Sequence, residues 1–138
     1  IHDRVLADAP QNVKIIERLS YAENDALFQE ASVLVNTSLF EGFPNTFLQA
    51  AKYGVPVLSL GVDPDGFIVR EHCGLVAKND PERLARGLEV ILDDPQKSAL
   101  FSQNLRNYVF HNHNLDDKVD QLARSLLQAA SVSSARVH

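Results

Sequence analysis

The chain has 138 residues, a net charge of −5 and an ordinary 45% apolar share. That length suits one domain burying roughly two thirds of its unfolded surface, and the acidic balance without a basic stripe argues against nucleic acid as a partner. Apolar runs such as Val55–Leu60 fall far short of the ~20 residues of a membrane-spanning helix, and Ile1–Leu19 is charged throughout, unlike a secretion leader. A single cysteine, Cys73, excludes an internal disulfide and fits a reducing cytoplasm. The first residue is Ile rather than Met, so the sequence reads as a piece of something longer or a processed form.

In chain order, Ile1–Ala9 reads as the end of a helix closed by Pro10. Val13–Ile16 is a short β-rich run. Asn24 can cap a helix through Ala31. Val33–Val35 is a buried strand by composition, and Asn36–Asn45 is a loop. Thr46–Tyr53 is a helix, with Gly54 where a terminating glycine belongs. Val55–Leu60 is a second buried strand. The turn-rich GVDPDG leads to a short helix over Phe67–Glu71 and a brief strand over Leu75–Ala77. Asp80-Pro81 and Asp94-Pro95 each pair an N-cap with a first-turn proline, opening helices to Leu92 and to about Phe110. A last helix spans about Asp116–Ala130, and SVSSARVH is expected to fray.

Apolar strands alternating with helices predict an α/β fold with a doubly wound parallel sheet, its strands covered on both faces. About four strands are countable, few for such a sheet, so it is either small or incomplete at its N-terminus. The domain is expected over 1–130, with 131–138 as tail.

The chemistry concentrates in Ser38–Ser59, SLFEGFPNTFLQAAKYGVPVLS. Ligands of open parallel sheets bind outside the carboxyl ends of the strands, and Glu41 follows one. Gly42 permits a tight turn and close backbone approach. The amides of Phe43, Asn45 and Thr46 lie at or near a helix start, where unpaired N–H groups and the helix dipole attract phosphate. Gln49 offers a carboxamide, and an ionised Glu41 accepts hydrogen bonds from a diol. A plainer reading stands beside this one: Glu41 complements the helix dipole, and Asn45 is only an N-cap.

EGFPNTFLQAAKYGVPVLS resembles the signature of retaining GT-B glycosyltransferases of family 4 (glycosyl transferases group 1). The similarity extends upstream through NVKIIERLSYAENDALFQEASVLVNTSLFEGF and downstream through GLVAKNDPERLARGLEVILDDP, from about Asn12 to about Leu127. The resemblance implies the Rossmann-like C-terminal half, which binds a nucleotide-diphosphate sugar, and a hexosyltransferase-type activity in polysaccharide or glycolipid biosynthesis. Glu41 matches the glutamate that contacts donor-sugar hydroxyls, so it is the catalytic candidate. Gly42, Phe43, Pro44 and Asn45 match the turn that supplies amides to sugar and diphosphate. Gln49 stands where a second glutamate binds the ribose, and without charge its bonds should be weaker. Pro44 replaces a frequent glycine and removes one amide donor. The family's basic pair and its acceptor-binding N-terminal half have no counterpart here, so the resemblance implies a fragment inactive alone. It also implies no cofactor, no essential metal and a cytoplasmic location at or near the inner membrane face, with peripheral membrane contact left to the missing half.

Other residues carry weaker signals. Asp63 and Asp65 reach the same rim as Glu41 and are second-tier candidates for sugar contact, although turn formation explains them equally. His111 and His113 are too few for a metal site and read as a solvated loop. Cys73 reads as a small buried residue. Two rival functions remain: a non-catalytic α/β binding module, and a sugar-nucleotide epimerase or phosphorylase of GT-B architecture. Fold alone does not separate them.

Overall fold

A computed structural model describes residues 9–134. The expected helix end over Ile1–Ala9 falls largely outside them, as do the last four residues of the chain. The chain divides at Glu30–Ala31 into two compact units. In the first, Val13–Ile16 forms no strand. β-propensity expresses itself only where a ladder partner exists, and the described strands all lie beyond residue 30. Helix α1 spans Tyr21–Glu30, starting before the expected Asn24 cap. Its start is a capping box: the Ser20 amide and hydroxyl donate to Glu23 Oε2 at 2.8 and 2.6 Å, and the Glu23 amide donates back to Ser20 Oγ at 3.3 Å. The Ser20 bonds hold the Glu23 carboxyl below its ordinary range.

The second unit is the α/β part. Strands β1 (Leu34–Asn36), β2 (Val57–Ser59) and β3 (Gly74–Val76) form a parallel sheet in the order β1-β2-β3. Leu34 stands opposite Val57 and Asn36 opposite Ser59; Val57 in turn meets Gly74, and Ser59 meets Val76. Pro56 has no N–H to give, but its carbonyl accepts from the Leu34 amide at 2.9 Å, so pairing begins there. All three β2 residues are buried, as a central parallel strand requires.

Helix α2 (Asn45–Tyr53) connects β1 to β2, and a 3-10 turn with the short helix α3 (Phe67–Arg70) connects β2 to β3. Crossovers between parallel strands run right-handed as a rule, and two in the same direction put α2 and α3 on one face. Phe47 and Phe67 accordingly meet with ring centroids 6.1 Å apart, both fully buried. On the other face Leu58 packs with Ile91 of α4 (Pro81–Asp93) and Phe101 of α5 (Pro95–Asn112), joined by Leu75, Leu84 and Leu88. Both helices start as their sequences predict. Asp80 accepts from the Glu82 and Arg83 amides at 2.9 and 3.2 Å, and Asp94 from the Lys97 amide at 3.0 Å. Helix α2 ends on Gly54 at φ 70°, a left-handed position that suits glycine. The Arg106 guanidinium of α5 lies over Gly54 and donates to the Tyr53 carbonyl at 2.9 Å, tying the two helices together. The last helix, α6 (Leu115–Ser134), runs past Ala130 into the segment expected to fray. Among the described residues no helix is long and apolar enough to cross a membrane.

Gly74 is required by closeness rather than by dihedral. A Cβ there would collide with the Val57 carbonyl and sit 3.1 Å from Ile68 Cγ2. The obstacle is backbone of the central strand, which cannot rotate away. Gly74→Ala is therefore expected to lower unfolding stability by about 1–3 kcal/mol, read as a lower urea midpoint; an unchanged midpoint would show that the β2–β3 ladder yields freely.

Candidate functional site

The parallel sheet sends three loops off one edge, and the loop after β1 carries the expected site. Asn36, the last residue of β1, is fixed by the Leu60 amide, which donates to its carbonyl at 2.8 Å. Its side chain turns the chain: Asn36 Oδ1 accepts from the Ser38 amide at 3.0 Å. Its Nδ2 donates to Glu41 Oε1 at 3.2 Å. Glu41 is solvent-exposed, and among the described residues this amide is its sole partner.

Gly42 departs from expectation in its reason. Its backbone is not left-handed, so the turn does not demand glycine, and a Cβ would meet nothing within 4 Å. The space over the turn is open. Phe43 then points inward. Its ring stacks on Phe67 at 5.4 Å, meets Phe47 edge-on at 6.3 Å and lies 4.8 Å from the His113 ring. Tyr108 of α5 closes the group, stacked on Phe67 at 4.6 Å. Offset and edge-on pairs at these separations are favourable, so the turn is nailed to the core by its aromatic residue.

Pro44, buried, takes the N-cap position of α2, and the helix starts at Asn45 rather than Thr46. Proline has no side-chain oxygen to cap with, and Asn45 lies inside the helix, so it is not the cap. The Phe47 amide donates to the Pro44 carbonyl at 3.0 Å, while the Asn45 and Thr46 amides find no acceptor among the described residues. Two N–H groups and the positive end of a helix dipole thus stand open, four and five residues beyond Glu41 in sequence. Gln49 is half-buried further along α2.

Asp63 and Asp65 have local duties. Asp63 Oδ1 accepts from the Ile68 amide at 2.8 Å, starting α3. Asp65 sits at φ 51° and its carbonyl accepts from Arg70 Nη1 at 2.8 Å. Cys73 is fully buried, and burial, aided by the Asp63 charge, pushes its thiol up to about 12, so it is no nucleophile. The histidine pair is split. His111 Nδ1 lies 2.7 Å from the Asn107 carbonyl on its own helix, whereas His113 lies in the exposed bend after α5, as expected, with its ring against those of Phe43 and Tyr108.

The family model described as Glycosyl transferases group 1 matches residues 6–108. The chain belongs to this family. A curated relative, Glycosyltransferase 1 domain-containing protein 1 of Xenopus tropicalis, is 26% identical over 102 residues, covering 73% of this chain and 29% of the relative. The chain thus spans less than a third of that relative's length. No solved structure matches the chain significantly. The three-stranded parallel sheet flanked by helices is consistent with the Rossmann-like half of a group 1 glycosyltransferase.

Sequence reasoning on this glycosyltransferase domain passed over Asn36, which it assigned to the loop. An Asn at a strand end, two residues before a free amide, is the available signal for such a turn. The aromatic grip on Phe43 had no local signal, because Phe67, Tyr108 and His113 come from distant segments. Partial covering holds the His113 imidazole below its usual 6.5, with Lys118 adding to the effect. The fold therefore favours the neutral ring: that contribution is complete above 6.5 and is lost as pH falls through the lower folded value. Phe43→Ala uncovers the ring and should return the His113 titration, followed by NMR, toward its usual position. An unchanged titration would show that Phe43 does not cover it.

Proposed function

We propose that the segment Glu41–Thr46 binds the nucleotide-diphosphate sugar of a retaining glycosyl transfer. The observation that carries this reading is a lone, amide-tethered carboxylate a few residues ahead of an uncapped helix start. Glu41 keeps its second oxygen for the donor-sugar hydroxyls, and a carboxylate can only accept such bonds. The free Asn45 and Thr46 amides, with the α2 dipole behind them, suit the diphosphate and the negative charge that grows on it as the bond to the sugar breaks. Open space over Gly42 gives the ligand access to the backbone, to which Gly42 and Phe43 can add their amides. Pro44 contributes no donor and instead fixes the start of the helix. Gln49 is the candidate for the ribose hydroxyls, through neutral bonds.

The wider reading follows the family. The transferred group is a hexose, the acceptor is supplied through a second, N-terminal half, and the product is a polysaccharide or glycolipid made on the cytoplasmic side, at or near the membrane. No metal is needed in this scheme, because amides and helix dipole carry the charge of the leaving diphosphate, together with basic residues of the longer enzyme.

Amide-resolved NMR titration of the chain with UDP-glucose, GDP-mannose and ADP-glucose tests the reading. Shifts should centre on Gly42–Gln49 for one nucleotide. Glu41→Ala should weaken that donor at least tenfold, since hydrogen bonds to a charged group are worth about 1.5–3 kcal/mol. Gly42→Ala should also weaken it while leaving stability within about 0.5 kcal/mol, because the added methyl meets only the ligand. Shifts centred elsewhere, or a Glu41→Ala protein that binds all donors as before, would sink the assignment.

A further inference from the structure

We propose that Asn36 is the positioning residue of this site, holding the Glu41 carboxylate in its donor-facing orientation; the proposal rests on the donor-binding reading of Glu41. Three observations meet at this one residue. Its main chain is locked by the parallel ladder, opposite Ser59 and bonded to the Leu60 amide at 2.8 Å. Its Oδ1 shapes the loop by accepting from the Ser38 amide at 3.0 Å, and its Nδ2 reaches across the same loop to Glu41 Oε1 at 3.2 Å. The two bonds also fix which way the carboxamide faces. The reverse orientation would put an oxygen against the carboxylate and an NH2 against an N–H, losing both.

The chemical identity of the tether matters. Glutamate has a long, mobile side chain, and an exposed one samples many rotamers unless something restrains it. A lysine or arginine would restrain it but would also neutralise the charge and compete for both oxygens. A neutral carboxamide occupies one oxygen, leaves the full charge in place and leaves Oε2 to a ligand. Among the described residues no cation pairs with Glu41. The carboxylate is thus pre-positioned by the sheet itself, through one side chain, so its ordering is already done before a ligand arrives.

Asn36→Asp separates this role from turn formation. It keeps an acceptor for the Ser38 amide and replaces the donor by an oxygen facing Glu41 Oε1, which drives the carboxylate away. Donor binding, measured by NMR with UDP-glucose, GDP-mannose and ADP-glucose, should weaken at least tenfold, while the Ser38 amide shift and the thermal midpoint stay near wild type. In the ligand-free chain the Asn36 side-chain NH2 resonances should move in Glu41→Gln, a signature that a purely structural Asn36 would not give. In an Asn36→Asp background, Glu41→Ala should weaken binding further by less than it does alone. If Asn36→Asp binds as wild type while Glu41→Ala is impaired, positioning is overturned and the donor reading stands. If the NH2 resonances ignore Glu41→Gln, the tether itself is overturned. If Glu41→Ala binds as wild type, or no donor shifts the chain, the donor reading falls and this role falls with it.

Discussion

Everything in the second unit hangs on the burial of β2. Val57, Leu58 and Ser59 are covered on both faces, so each neighbouring strand must pair with them in a single register. A slip of one residue would send Leu58 to the α2 side and Val57 to the α4 side, undoing both halves of the core. The close approach of Gly74 to the Val57 carbonyl tightens the ladder further on the β3 side. Fixed register then fixes where the strands end, and the loops of interest begin at those ends. Ser59 Oγ is the exception within this order: it is buried without a hydrogen-bond partner among the described residues, and no feature of the structure explains it.

The second constraint is aromatic. Phe43 belongs to a surface turn, yet its ring is bound into a stack that runs through Phe67 to Tyr108. Helix α5 takes part in both faces of the core: Phe101 packs with Leu58, and about two turns further along Tyr108 reaches the aromatic stack. Arg106, between them, holds the end of α2. The turn that presents Glu41 is therefore clamped at Asn36 by the sheet and at Phe43 by helix-borne rings. Between those clamps Leu39 and Phe40 stand out into solvent, 72% and 94% exposed. A carboxylate on a turn held at both ends is better placed for a fixed ligand geometry than one on a free loop.

Charge is arranged sparsely around this turn. The helix start is left uncapped because proline occupies the cap position, while α4 and α5, whose starts lie away from this turn in sequence, are capped by Asp80 and Asp94. The contrast is physical: a capped start has already satisfied its amides, and an uncapped one can satisfy them with a ligand. On the neighbouring loop the Asp63 carboxylate is occupied in building the start of α3, while Asp65 holds Arg70 through its main-chain carbonyl.

Much of this was legible in the chain. Asp-Pro pairs marked the starts of α4 and α5, Gly54 marked the end of α2, and apolar runs located β1, β2 and β3 to within a residue or two, because caps, left-handed glycines and hydrophobic runs act through neighbouring residues; the burial expected of β1 was not met, since Val35 is exposed and only β2 is buried throughout. The Ser20–Glu23 capping box was equally local, though the expected start was placed at Asn24. The site's chemistry, a carboxylate followed by a glycine and a helix start, was also written in consecutive residues, and with it the family. The tertiary structure decided the rest. It denied Val13–Ile16 a strand, since a ladder needs a partner that propensity cannot supply. It set the exposed His113 ring against Phe43 and Tyr108 and tied Glu41 to Asn36, because both depend on side chains meeting in space. What the sequence determined by itself was therefore the set of elements and the chemical groups on offer; which groups are held still, and by what, followed only from packing and register between distant segments.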